Sequence, residues 1–273
     1  MQSVGSAGAA VNVDVIIPAR DEAAVVGIVV RSLPRGLVRE VIVVDNGSTD
    51  ATALVAASAG ARVVSEPRRG YGSACLAGIA ALRLDSDVVA FLDADGSDDV
   101  TRFADLLRPI ADDHADLVVG ARTAALAEAG ALLPQQRVGS VVAGCWLRWV
   151  YGLPATDLGP FRIIRRQALD RLGMRDRGYG WTVEMQIRAA RCGLRYQEIA
   201  VASLPRRAGR SKVAGTLRGT FGASLKIVAL LGRHGVGAGA GRRRPAPAAL
   251  APVVEVRAAN DANGAPQRPR PVP

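Results

Sequence analysis

Asp93-Ala94-Asp95 is the first place where residue type and spacing point to chemistry. Two carboxylates one residue apart, after an apolar run, can aim at one point if the backbone bends there. Hard divalent cations such as Mg2+ and Mn2+ take oxygen ligands of this kind and bridge them to phosphates. A cation held so would neutralise a diphosphate leaving group as its charge develops. The alternative is a turn into a helix, because Ser97, Asp98 and Asp99 suit a helix start. The capping role is assigned here to Ser97 or Asp98, which keeps Asp93 and Asp95 for the metal. Asp45 ends a second apolar run. Its carboxylate could accept from a base N–H or a ribose hydroxyl, although Asp45-Asn46-Gly47-Ser48 is also a strong turn sequence. Asp21 and Glu22 follow Pro18 and Ala19 in the same way, with charge at a helix N-terminus as the alternative.

Gly70-Tyr71-Gly72-Ser73-Ala74 could let backbone N–H groups approach an anion, or could be a helix start that packs closely. It matches neither the dinucleotide fingerprint nor a P-loop. The basic group is Arg122, Arg137, Arg162, Arg206, Arg207, Arg210 and Lys212. Arginine grips phosphate through a bidentate fork, so 206–212 reads as a phosphate clamp or as a solvated basic loop. Trp181 and Glu184 could line an acceptor pocket, or be a core aromatic and an exposed helix charge. Two histidines leave little room for histidine-based catalysis. Three widely spaced cysteines without a CxxC argue against a disulfide framework or zinc site and fit a reducing cytoplasm.

The elements that must position these residues alternate along the chain. Strands are predicted over 13–17, 41–44, 62–64, 88–92, 116–119 and 161–164, with an extended segment over 195–201. Helices are predicted over 22–32, 50–59, 71–84, 99–110, 135–151, 182–192 and 213–231. Short β-branched runs between helices imply βαβ units and an α/β fold with a mostly parallel sheet, helices on both faces. Ligands then bind at the carboxyl ends of the strands, where all three acidic clusters fall.

The chain has 273 residues, 49% hydrophobic and 22% charged, enough for a sizeable core. Residues 1–11 read as a flexible leader and 12–234 as one domain. Residues 235–273 lack aromatics, hold seven of the fifteen prolines and read as a disordered basic tail. The net charge is +10, of which six arginines against Glu255 and Asp261 place +4 in that tail. Such a balance suits phosphate-bearing substrates, an anionic membrane surface or nucleic acid. No signal peptide and no run of about 18 uncharged apolar residues is visible, so no spanning helix is expected. A non-catalytic binding module attached through the arginine-rich tail ranks low, because no aromatics interleave its charges.

Taken together over about 13–212, four stretches resemble the family-2 glycosyltransferases of GT-A fold. They are Val15-Ile16-Ile17-Pro18-Ala19-Arg20-Asp21-Glu22, Val41-Ile42-Val43-Val44-Asp45-Asn46-Gly47-Ser48-Thr49-Asp50, Val89-Ala90-Phe91-Leu92-Asp93-Ala94-Asp95-Gly96 and 206–212. The Asp-Ala-Asp form and the Gly-Arg-Ser-Lys loop are most similar to the dolichyl- or polyprenyl-phosphate sugar synthases. The resemblance implies that Pro18, Ala19, Glu22 and Asp45 hold the nucleotide of a nucleotide-sugar donor. Asp93 and Asp95 would hold Mg2+ or Mn2+ and the diphosphate. Ser97 stands where mannosyl members have a Gln metal contact. Arg122, Arg137 and Arg206 would face an acceptor phosphate, and Lys212 would sit on a loop closing over the donor.

The implied activity is inverting transfer of a hexose to a polyprenyl-phosphate-type acceptor, in the cytoplasm, with peripheral contact to the membrane's inner face through 213–231. A soluble phosphorylated or hydroxyl acceptor is the second expectation. A hydroxyl acceptor would call for a base, and Glu184 or Asp157 are the candidates.

Overall fold

The structure, a computed structural model, describes the backbone over 11–122 and 134–206, and side chains over 11–122 and 141–206. Seven strands form one sheet: β1 (Val13–Ala19), β2 (Glu40–Asp45), β3 (Arg62–Ser65), β4 (Val88–Phe91), β5 (Leu117–Arg122), β6 (Arg162–Arg165) and β7 (Tyr196–Val201). Their order is β3-β2-β1-β4-β6-β5-β7. All pairings are parallel except those of β6, which runs antiparallel to both β4 and β5. Helices α1 (Val26–Ser32), α2 (Thr52–Ser58), α3 (Tyr71–Ala80), α4 (Phe103–Ala111), α5 (Pro134–Tyr151), α6 (Arg166–Leu172) and α7 (Trp181–Arg191) cover the two faces. The α/β expectation holds.

β-Branched residues account for the sheet. Val15, Ile16, Ile17, Ile42, Val43 and Val44 have no exposed surface, as strands covered on both faces require. One core lies under α1 and α4 and holds Val29, Phe103 and Leu106. The other lies under α3, α6 and α7 and holds Phe91, Leu169 and Trp181. At the far end of β1, fully buried Asp14 receives Arg39 Nε at 3.0 Å and Nη2 at 2.6 Å, along with the Ser86 hydroxyl. These partners satisfy the buried charge.

The sequence order turns back between β1 and β4, and a crevice opens at such a switch point. Ile16 accepts from Leu92 N, and Ala19 accepts from Asn46 N on the other side. By alternation Pro18 faces the β4 side, just past the last paired residue of that strand. Its missing N–H therefore falls where no ladder partner is needed.

Several element boundaries depart from expectation. The first helix starts at Val26 rather than 22, because Glu22 N donates to the Thr52 hydroxyl (2.8 Å) and Glu22 O closes a turn with Val25 and Val26. The helix expected over 99–110 divides into a 3-10 turn (Val100–Arg102) and α4. Its cap is Asp99, which accepts from Thr101 N; neither Ser97 nor Asp98 caps it. Helix α6 had no counterpart in the sequence reading. Among the described residues no helix is long and apolar enough to cross a membrane. Lys212, Arg207, Arg210, the helix expected over 213–231 and the tail lie outside the described residues.

Candidate active site

Strand direction gathers the site. β1, β2, β4, β5 and β7 end on one edge of the sheet, and antiparallel β6 begins there, with Arg162 opposite Phe91. The described residues after β1, β2, β4 and β7, the end of β5 and the loop before β6 therefore lie on this edge.

After β4 the chain bends through 93–98, with Gly96 at φ +74°. Asp95 is 4% exposed and accepts Ser97 N at 2.9 Å. Asp98 does not cap; it accepts Asp93 N at 2.8 Å and closes the turn. Burial, then the charge of Asp95, pushes the Asp93 carboxyl up to about 7, opposed by a hydrogen bond from the Tyr71 hydroxyl. Burial and Asp93 likewise raise Asp98. The carboxyl groups are thus crowded and poorly solvated, and a bound cation would favour their ionised forms. Asp93 and Asp95 offer hard oxygen donors fit for Mg2+ or Mn2+. No cluster of three His, Cys, Asp or Glu side chains stands ready for a metal among the described residues.

The residues expected to hold the donor lie at the ends of β1 and β2, on the same edge of the sheet. Ala19 pairs with Asp45 across β1 and β2. Asp45 Oδ1 accepts Ser48 N at 3.2 Å, so its carboxylate also serves the turn. Asn46, which the sequence reading passed over, is 6% exposed. Its amide donates to Glu66 O and Arg68 O and accepts Gly70 N at 2.8 Å, tying β2 to the start of α3. Asp21 sits at φ +48°, a strained value held by Thr49 N on Oδ1 at 2.7 Å. Glu22 is 9% exposed, and its carboxylate faces Arg206 at 3.5 Å.

Arg206 is the basic residue the structure brings onto the carboxylates, with Nη2 2.7 Å from Asp95 Oδ2. Its route is built. An isolated bridge joins Ser203 to Asp98, and Leu204 N donates to Ser97 O at 3.1 Å.

Arg122 is otherwise engaged. Its Nε and Nη2 meet Asp157 at 2.7 and 2.9 Å, and its own N–H adds a bond of 3.0 Å to the same carboxylate. The fork expected on an acceptor phosphate is thus closed by a protein carboxylate, and Asp157 is no ready base. Arg137 lies on α5, its side chain outside the described ones. Arg162 is fully buried and donates to the carbonyls of Leu158, Gly159 and Thr182, a core bolt.

Glu184 requires a correction. It is buried at the start of α7, accepts Arg175 N and Asp176 N at 3.1 and 2.7 Å, and pairs with Arg188 at 2.8 Å. It clamps the loop before α7 instead of touching an acceptor. Trp181 packs in the core, 6.0 Å from the Phe91 ring. The Gly70-Tyr71-Gly72 turn is a close-packing device. Gly72 N and Ser73 N donate to Gly178 O and Arg177 O, and a Cβ at Gly72 would lie 2.0 Å from Asp176 O. Tyr71, not singled out from sequence as an Asp93 partner, had no signal except its place in that turn.

The sequence profile of glycosyl transferase family 2 matches residues 14–173. An uncharacterized glycosyltransferase of Mycobacterium tuberculosis is 44% identical over 214 residues, 78% of this chain and 94% of its own length. Undecaprenyl-phosphate mannosyltransferase of Micrococcus luteus is 29% identical over 194 residues, 66% of this chain and 78% of its own. The crystal structure of Mycobacterium tuberculosis glucosyl-3-phosphoglycerate synthase with Mn2+, UDP-glucose and phosphoglyceric acid superposes with a TM-score of 0.67. It is 26% identical and covers 82% of this chain and 79% of that one. With a GT-A-type sheet, paired carboxylates at its switch point and a profile spanning more than half its length, the chain belongs to glycosyl transferase family 2 and is a hexosyltransferase.

Proposed function

We propose that this enzyme moves a hexose from a uridine-diphosphate sugar to a small phosphate-bearing acceptor, with a divalent cation at Asp93 and Asp95. The carrying observation is that carboxylate pair at the switch-point crevice, in a fold similar to a synthase crystallised with Mn2+, UDP-glucose and phosphoglyceric acid. When bound, the cation neutralises charge on the leaving diphosphate. Pro18, Ala19, Glu22 and Asp45 line the nucleotide side. Tyr71 holds Asp93 by its hydroxyl, and the 93–98 turn fixes Asp95. The Arg122–Asp157 pair holds β5 to the loop before β6, so the acceptor-side wall is rigid. With an ionised phosphate oxygen of the acceptor as nucleophile, no base is needed and rate comes from alignment and leaving-group stabilisation. With a hydroxyl as nucleophile, its proton must pass to a base, and Glu184 and Asp157 are both engaged by other partners. A single displacement inverts the anomeric centre, which the coupling constant of the product's anomeric proton reads directly.

A polyprenyl-phosphate acceptor is the second reading, favoured by the similarity to the Micrococcus luteus mannosyltransferase. Contact with a membrane's inner face belongs to that reading.

The test pairs calorimetry with product analysis. UDP and GDP are titrated with and without Mn2+. The UDP-hexose is then offered 3-phosphoglycerate, glycerol 3-phosphate or detergent-dispersed undecaprenyl phosphate. Metal-dependent UDP binding and a glycosylated water-soluble product are expected. Transfer to undecaprenyl phosphate alone overturns the acceptor class, and preference for GDP overturns the donor.

A further inference from the structure

We propose that Arg206 is a stand-in cation at the donor site, and that its displacement makes divalent cation and diphosphate bind as a coupled pair. The inference rests on the reading of Asp95 as a cation ligand. In the structure both oxygens of that buried carboxylate are taken. Oδ1 accepts Ser97 N at 2.9 Å, and Oδ2 meets Arg206 Nη2 at 2.7 Å. Nη1 of the same guanidinium lies 3.5 Å from Glu22 Oε1, so Arg206 spans the crevice from the β4 turn to the β1 turn. The backbone that delivers it is pinned two and three residues earlier, at Leu204 and Ser203.

A divalent cation on Asp95 Oδ2 would stand within about 4 Å of the guanidinium that meets the same oxygen, and like charges that close repel strongly in a partly buried setting. A cation arriving alone must therefore displace Arg206 and leave its charge facing another positive charge. A diphosphate arriving with the cation changes this. It offers the displaced fork the anionic oxygens that guanidinium groups bind bidentately. Glu22 keeps the fork beside the crevice meanwhile. Each ligand thus removes an obstacle to the other, which is a coupling free energy between two sites.

The test titrates Mn2+ into the full chain with and without UDP, followed by the electron paramagnetic resonance of free Mn2+. Wild type is compared with Arg206→Gln, Arg206→Lys and Asp95→Asn, each checked for an intact thermal transition. Wild type binds Mn2+ weakly alone and much more tightly with UDP. Arg206→Gln binds Mn2+ alone about tenfold more tightly and loses most of the gain from UDP. Arg206→Lys, which keeps the charge but not the fork, binds Mn2+ alone as weakly as wild type and keeps only part of the gain from UDP. If Arg206→Gln binds Mn2+ alone no better than wild type while Asp95→Asn abolishes binding, the stand-in role is overturned and the cation site stands. If Asp95→Asn binds Mn2+ as wild type does, the cation site itself is overturned, and the inference with it.

Discussion

The two halves of the sheet treat charge in opposite ways. On the β3-β2-β1-β4 side, acidic groups gather at the strand ends: burial and then Asp95 raise Asp93, and burial and then Asp93 raise Asp98. On the β6-β5-β7 side, charges of both signs are present in quantity, but they are matched internally. Asp157 holds Arg122, Glu184 holds Arg188, and Arg195 holds Asp113 and Asp116. Glu198 joins the set by accepting from Thr156 N and from the Tyr196 hydroxyl at 2.9 and 2.6 Å. The carboxyl pair after β4 is placed to take a ligand, whereas the charges on the second side, like Asp14 with Arg39 at the far end of β1, are part of the scaffold.

Substitutions can break or sharpen that contrast. The largest effect falls on turnover: Asp95→Asn lowers hexose transfer by about a thousandfold or more, measured by product formation at saturating Mn2+. Its thermal midpoint moves less than that of the next variant. Asp157→Asn leaves the half-buried Arg122 without its carboxylate, and the expected loss is about 2–3 kcal/mol of stability in urea unfolding. A loss of turnover from Asp157→Asn with no loss of stability would erase the distinction between the halves.

Gly72→Ala drives a methyl into the Asp176 carbonyl, 2.0 Å away, and costs about 1–3 kcal/mol in the same assay. The pH response is smaller and has a fixed sign. Asp93 is raised from 3.8 to about 7, so the native state binds more protons than the unfolded one across that window. Without metal, stability therefore falls as pH rises from about 4 to 7, and Asp93→Asn reduces that slope in thermal melts. Leu54→Gln, on an exposed position of α2, shifts stability by no more than about 0.5 kcal/mol.

The first half was the more legible in sequence for a physical reason. Parallel strands buried on both faces write continuous β-branched runs, and the polar clusters that follow them mark the crevice directly. Helix starts were less so, because Thr52 takes the N–H of Glu22 from 30 residues away. In the second half, function and scaffold use the same residue types. Arg122 and Glu184 read as ligand-facing because nothing in local spacing tells which carboxylate an arginine meets 35 residues on, or which amides a glutamate closes over. Asn46 and Tyr71 were hidden for the same reason. Their partners, Glu66, Arg68, Gly70 and Asp93, lie on other turns.

The backbone contact between Gly70-Tyr71-Gly72 and residues 176–178 bears on how such enzymes can be re-engineered. Gly72 N and Ser73 N reach carbonyls more than a hundred positions away with no side chain between them. The loop before α7 and the start of α3 therefore move as one mechanical part, and Tyr71 carries that movement to Asp93. A graft that replaces 174–180 must bring a matching glycine turn, or it will disturb the start of α3 and with it the support of Asp93.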